Sequence, residues 1–271
     1  MNVLISTDKK SFDGAKILVY SLMKYHKNVH WHVLSASISI ESLAEKTVYR
    51  FRGIDDDDFI QLKKIVKYFD SDSTIELTDV TGLYGDYLAG SPNDLAGFTP
   101  YATFRLLADI VIPKSEHDLL YLDVDTMVCQ NIDTEYHKYT TIDSPYAAHV
   151  VREACDYKGE MISGIMFFNM DICRRTKFFD TARRNYMKYD YQYPDQMAIR
   201  DTADPVNIEK SLNYMWDLVE ATEPFKIIHF TNELEKVYAI GWHKFFLKYP
   251  QYNEIKEGIE LLDELKFNTN D

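Results

Sequence analysis

At 271 residues, 46% of them hydrophobic and 27% charged, the chain suits one globular α/β domain with at most a small appendage, long enough to bury a sizeable core. Its formal net charge of −13 repels phosphate polymers at long range, which argues against a nucleic-acid partner. No stretch is apolar for the length a bilayer demands, which argues against a transmembrane segment.

The opening Met1-Asn2-Val3-Leu4-Ile5-Ser6 has no basic start, long apolar run or cleavage signal, and reads as a strand that begins at once. A polar loop containing Asp8 follows. Helix is predicted from Phe12 to His26, where Ile17, Leu18, Leu22 and Tyr25 fall near one face. Trp31–Leu34 is the second strand. Strand, helix, strand implies a right-handed parallel crossover, with ligands at the carboxyl ends of the strands, where Asp8 stands. Asp8 serves equally well as a cap for the next helix. Glu41–Arg52 and Phe59–Phe69 read as helices separated by an acidic loop, Asp55–Asp58. Ile75–Val80 alternates like a strand. Gly82–Pro100 is rich in Gly, Pro, Asn and Asp and reads as a long loop of the functional kind. Tyr101–Ile110 returns to helix, carries Arg105 on an apolar background, and is stopped by Pro113.

The chain then reaches Leu119-Leu120-Tyr121-Leu122-Asp123-Val124-Asp125-Thr126-Met127-Val128. The apolar run predicts a buried strand. Residues at i and i+2 of a strand share a face, so Asp123 and Asp125 are expected to present two carboxylates side by side where it leaves the core. Two anions that close repel, and a divalent cation relieves them; hard oxygen ligands suit Mg²⁺ or Mn²⁺, which can in turn hold a diphosphate. The same spacing at Asp55/Asp57, Asp56/Asp58 and Asp70/Asp72 sits in polar surroundings and reads as solvated acidic surface.

A linker to about Tyr146 is expected next, then strands over Tyr146–Val151 and Met161–Asn169, the latter with Gly164 inside it, which permits close backbone approach. Helices are predicted from Phe178 to Lys188 and from Pro194, with Asp195 and Gln196 in the first turn. Phe225–Phe230 reads as a late buried strand carrying His229, and Tyr252–Leu265 as an acidic amphipathic helix without a basic membrane-facing side. Cys129, Cys155 and Cys173 are an odd set with no metal-ligand spacing, so free thiols and a cytoplasmic location are expected.

Several of these stretches together resemble glycosyltransferase family 8, the retaining sugar-nucleotide transferases. The likeness runs from Met1 to about Phe246. It rests on Val3-Leu4-Ile5-Ser6-Thr7-Asp8, Tyr101-Ala102-Thr103-Phe104-Arg105-Leu106-Leu107, Tyr121-Leu122-Asp123-Val124-Asp125, Ser163-Gly164 with Asn169, Asp195-Gln196, and Ile228-His229-Phe230. The resemblance implies a GT-A-type fold with a mostly parallel central sheet flanked by helices. It implies one domain over residues 1–250, with a nucleotide-binding half at about 1–128, an acceptor half at about 129–250, and a C-terminal acidic helix and tail at 251–271. By the same resemblance, Asp123, Asp125 and His229 match ligands of a catalytic Mn²⁺, and Val124 lies in the nucleotide site between the two carboxylates. Asp8 matches a residue facing the nucleobase, and Arg105 and Asp195 match donor-sugar contacts. Gln196 matches the residue beneath the anomeric carbon, and Lys236 a diphosphate-gripping lysine.

The implied activity is transfer of a hexose from a UDP-sugar to a glycan, lipid-linked glycan or protein hydroxyl. Because a glutamine is a poor nucleophile, a front-face displacement is expected rather than the double displacement of retaining hydrolases. The chain departs from the family in three places. Ile162 stands where members usually carry Asn. The loop after His229 reads Phe230-Thr231-Asn232-Glu233-Leu234-Glu235-Lys236 instead of a Gly- and Pro-containing one. No Asp occurs near His149 and Val150. Two other readings therefore stay open: a nucleotide-sugar-binding protein without turnover, and a metal-dependent nucleotidyltransferase, although no Gly-rich phosphate loop supports the second.

Overall fold

A computed structural model describes residues 1–42, 45–95, 98–141, 146–152, 161–202, 206–209, 226–230 and 236–264. Its first part runs β1 (Asn2–Ser6), α1 (Phe12–Met23), β2 (His30–Ser35), β3 (Ile38–Ser42), β4 (Thr47–Phe51), α2 (Asp56–Phe69), β5 (Thr74–Asp79) and α3 (Thr81–Tyr87). A 3-10 helix over Pro100–Leu107 leads to α4 (Ala108–Val111), β6 (Asp118–Leu122), β7 (Thr126–Val128) and α5 (Asp133–Thr140). There follow β8 (Ala148–Arg152), β9 (Met161–Asn169), α6 (Met170–Thr176), α7 (Phe178–Lys188), α8 (Pro194–Arg200), β10 (Val206–Glu209) and β11 (Ile227–His229). The last elements are α9 (Val237–Ile240), α10 (Trp242–Lys248) and α11 (Asn253–Glu264).

The central sheet has the order β10-β8-β9-β6-β1-β2-β5 among the described residues. Only β9 runs against its neighbours; the pairings of β10 with β8, β6 with β1, β1 with β2 and β2 with β5 are parallel. Period-two alternation divides the core into two layers. Val3, Ile5, Trp31, Val33, Leu120, Leu122 and Phe167 face the layer of α1, α2 and α11. Leu4, Leu34, Leu119, Tyr121, Met166 and Phe168 face the 3-10 helix and the helices from α6 to α8. Strands buried on both faces carry near-continuous apolar runs, which is why β1 and β6 are conspicuous in the sequence. Each such Leu, Ile or Val contributes about 1.5–3 kcal/mol on burial.

The fold corrects several expectations. The helix over Glu41–Arg52 is instead part of the antiparallel hairpin β3–β4, pairing Ile38 with Phe51 and Glu41 with Val48. Ile38 and Ile40 are buried while Ser39 and Glu41 are exposed, and the return strand Thr47-Val48-Tyr49-Arg50-Phe51 is β-branched and aromatic. The acidic loop at Asp55–Asp58 is the start of α2. Asp55 and Asp58 form a reciprocal capping box, and Lys9 Nζ lies 2.9 Å from Asp55 and 2.6 Å from Asp58.

The Gly82–Pro100 loop begins as α3, launched by Asp79, whose Oδ1 accepts from the Thr81 amide at 2.8 Å and its hydroxyl at 2.6 Å. The linker before Tyr146 contains α5, which buries Tyr136, Tyr139 and Thr140 on one face. The late strand is β11. It pairs antiparallel with β7 outside the central sheet, Ile227 opposite Val128 and His229 opposite Thr126. Phe225, Cys155 and the 231–235 loop lie outside the described residues.

Candidate active site

Asp123 and Asp125 do not stand on a strand, as the alternation argument expects, but on the tight turn between β6 and β7. The turn is pinned from three sides. Asp123 N donates to Gly164 O at 2.8 Å, the Thr126 amide and hydroxyl donate to Asp123 O at 3.0 and 2.7 Å, and Phe230 N donates to Asp125 O at 2.8 Å. Behind it, α1 approaches so closely that a Cβ on Gly14 would lie 2.2 Å from Val124 O. Val124 is buried at the turn's apex and lines the cleft.

The Phe230–Asp125 bond and the β11–β7 pairing deliver His229 to the two carboxylates. One ligand atom from each of Asp123, Asp125 and His229 lies within 4.8 Å of the others. His229 Nε2 is 3.1 Å from Asp125 Oδ1 and 3.8 Å from Asp123 Oδ2. Despite the short distance, neither Asp125 Oδ1 nor His229 Nδ1 makes a hydrogen bond among the described residues, and both atoms are buried. Gly164 forms the floor. A Cβ there would lie 2.3 Å from His229 Cε1, 2.8 Å from Nε2 and 2.9 Å from Asp123 Oδ2. Only a residue without a side chain leaves room for the triad.

Cations surround these carboxylates unequally. Arg105, 1% exposed, donates from Nη2 to Asp123 Oδ1 at 2.7 Å, from Nε to Ala102 O at 2.8 Å, and from Nη1 to Ser163 O. Its Nε is also 3.2 Å from Asp195 Oδ2. Tyr121, beneath the guanidinium with its ring centre 4.1 Å from Arg105 Cζ, donates its hydroxyl to the same Asp123 Oδ1 at 2.7 Å. Asp125 Oδ2 has Lys236 Nζ at 3.2 Å and the Tyr238 hydroxyl at 3.2 Å.

Desolvation pushes the Asp123 carboxyl above the usual range, against the pull of Arg105. Asp125 is desolvated too, but His229 and Lys236 hold it well below that range. Burial works to lower His229, yet Asp125 and Asp123 raise it above an ordinary histidine.

The remaining sequence candidates line the same cleft, of about 720 Å³. Asp8, at the end of β1, spends Oδ1 on the turn into α1, accepting from Ser11 N at 2.7 Å and Ser11 Oγ at 2.5 Å. Asp195 and Gln196 open α8, where Asp195 Oδ2 accepts from Ser163 Oγ at 3.0 Å and Gln196 Oε1 from Ser163 N at 3.3 Å. Ile162 lies on the cleft wall beside them. Sequence reasoning misses Tyr121, Tyr238, Ser11 and Gly14. The Tyr121-x-Asp123 spacing, which puts the phenol and the first carboxylate together, is a usable signal for the first of these.

No protein-family model matches the chain, and no curated protein matches it in sequence. Solved structures do match in shape. The galactosyltransferase LgtC in complex with donor and acceptor sugar analogues superposes with a TM-score of 0.67 at 15% identity, covering 100% of this chain and 98% of that one. An active-site mutant of LgtC gives 0.67 at 14% identity over 95% and 96%. Mouse xyloside xylosyltransferase 1 in its apo form gives 0.58 at 11% identity over 85% and 98%. With its mostly parallel sheet flanked by helices, the chain has the GT-A fold of these glycosyltransferases.

Proposed function

We propose that the chain is a metal-dependent, retaining glycosyltransferase that moves a hexose from UDP-glucose or UDP-galactose to a hydroxyl of a glycan, lipid-linked glycan or protein. The observation that carries this reading is the Asp123–Asp125–His229 triad in the lining of a cleft in a glycosyltransferase fold. On this reading residues 1–128 supply the nucleotide side and residues 129–250 the acceptor side. No described helix is long and apolar enough to cross a membrane.

The residues present fit a divalent cation. Two carboxylates and an imidazole form a hard donor set, Asp125 Oδ1 is buried without a hydrogen bond, and Gly164 keeps the space beside them clear. Asp123, Asp125 and His229 would hold Mn²⁺ or Mg²⁺, which when bound supplies positive charge to the donor's diphosphate.

The chain's own groups support the rest. Asp8 in the cleft lining suits the base, and Lys236 is a cation for the departing diphosphate. Asp195, anchored by Arg105 and Ser163, supplies negative charge near a sugar ring that becomes cationic as its bond to phosphate breaks. Gln196 beside it offers a dipole and no competent nucleophile. The sugar C1–O(phosphate) bond then breaks as the C1–O(acceptor) bond forms on the same face, and the acceptor's proton passes to the leaving phosphate oxygen.

The test is UDP release from UDP-glucose and UDP-galactose with Mn²⁺, with Mg²⁺ and with chelator. Metal-dependent release is expected. Binding of a UDP-sugar without release means a binding protein, and pyrophosphate release from a nucleoside triphosphate means a nucleotidyltransferase.

A further inference from the structure

Asp123 Oδ1 is held by two strong side-chain donors. It receives Arg105 Nη2 and the Tyr121 hydroxyl, each at 2.7 Å. A carboxylate held by two donors on one oxygen cannot swing, and the held oxygen has no lone pair left for a cation. Oδ2 is thereby fixed as the atom on the His229 side, 3.8 Å from Nε2.

The two donors differ in what else they do. Arg105 also holds Asp195, the Ser163 carbonyl and the Ala102 carbonyl, so its loss disturbs the whole wall. The Tyr121 hydroxyl has one hydrogen-bond acceptor among the described residues, Asp123, while its ring packs in the core beneath Arg105. The fold puts the phenol there at the end of β6. Tyr121 faces the layer of the 3-10 helix that carries Arg105, and the chain leaves the strand after Leu122, so the turn carries Asp123 back within reach of the hydroxyl.

From this geometry we infer that Tyr121 is a positioning residue that locks Asp123 into single-oxygen coordination of the cleft cation through Oδ2. Groups in this outer shell orient ligands and set metal affinity. The inference rests on the metal-dependent reading of the site given above.

Tyr121→Phe removes only the hydroxyl and keeps the ring under the guanidinium. The matched control is Tyr136→Phe. Tyr136 is equally buried and donates to Asp118 at 2.6 Å, at the opposite end of the same strand β6. Both variants should melt somewhat lower than wild type. Mn²⁺ titrations, read by electron paramagnetic resonance of the free ion in the presence of UDP, should show Tyr121→Phe binding about ten- to a hundredfold more weakly. Tyr136→Phe should bind like wild type, and UDP affinity in chelator should be the same in all three.

Wild-type Mn²⁺ affinity in Tyr121→Phe overturns the role, as does equal weakening in Tyr136→Phe. A wild-type protein that binds UDP but no Mn²⁺ overturns the metal reading itself and the inference with it.

Discussion

Gly164→Ala is the sharpest perturbation of the triad. The new methyl would stand 2.3 Å from His229 Cε1 and 2.9 Å from Asp123 Oδ2. Carbon atoms pack comfortably at about 3.5–4.0 Å, so the imidazole must retreat by about 1.2 Å or more. His229 has little freedom to do so gently, because the Phe230 amide and β11 fix its backbone against the acidic turn. A misplacement of about 1 Å costs about a hundredfold in rate when geometry is the means of catalysis. Overpacking adds about 1–3 kcal/mol of destabilisation.

The expected result is a loss of metal-dependent UDP release of about a hundredfold, together with weaker Mn²⁺ binding and a still cooperative, lower melting transition. Gly85→Ala is the control: nothing lies within 4 Å of a Cβ there, and Gly85 sits in α3, where Ala favours helix. Gly164→Ala with activity within threefold of wild type, in a protein that melts normally, would show that the glycine is not what keeps the cation space open.

Two further outcomes follow from the same geometry. On the proposed reading, Asp125→Asn removes an anionic metal ligand with almost no change in volume. It should abolish the mutual strengthening of UDP and Mn²⁺ binding, which linkage makes equal in both directions; UDP titrations with Mn²⁺ and with chelator check this, and equal coupling in both proteins rules it out. His26 is buried, with its ring between the Asp133 carboxylate at 3.0 Å and the Ile132 amide, which donates to Nε2 at 3.3 Å. Burial lowers its pKa against the opposing pull of Asp133, so the folded state prefers the neutral ring. The stability this contributes is complete above the unfolded value of about 6.5 and is lost as pH falls below it. Melting temperatures from pH 7.5 to pH 5 should fall more steeply in wild type than in His26→Gln, and parallel profiles count against the assignment.

What the sequence discloses follows from how locally each feature is determined. β1, β2 and β6 are legible because their apolar residues are near-continuous, and α1 and α7 because theirs recur at a helical period. The Asp123/Asp125 pair is legible because it interrupts an apolar run. The β3–β4 hairpin is hidden because Glu41 and Lys46 favour helix locally, while the cross-strand partners that decide the matter lie several residues away. α5 is hidden because its buried face is made of Tyr136 and Tyr139, which count as half-polar until Asp118 is seen to accept from Tyr136. α6 carries a signal that reading by hydrophobic period overlooks: Asn169 caps it, accepting from the Ile172 amide at 3.1 Å. Roles that depend on distant approach, such as Gly14 against Val124 or Tyr238 against Asp125, have no local signature.

The antiparallel pairing of β11 with β7 also fixes an order of events in synthesis. At roughly 5–20 residues per second, the two carboxylates leave the ribosome on the order of ten seconds before the imidazole. In that interval Arg105, which precedes them in the chain, is already available to neutralise Asp123, while Asp125 awaits both His229 and Lys236. The contacts that complete the triad span long stretches of chain and are among the slower kind to form. A growing polypeptide therefore holds Asp123 and Asp125 without His229, and the triad closes only when β11 has paired with β7.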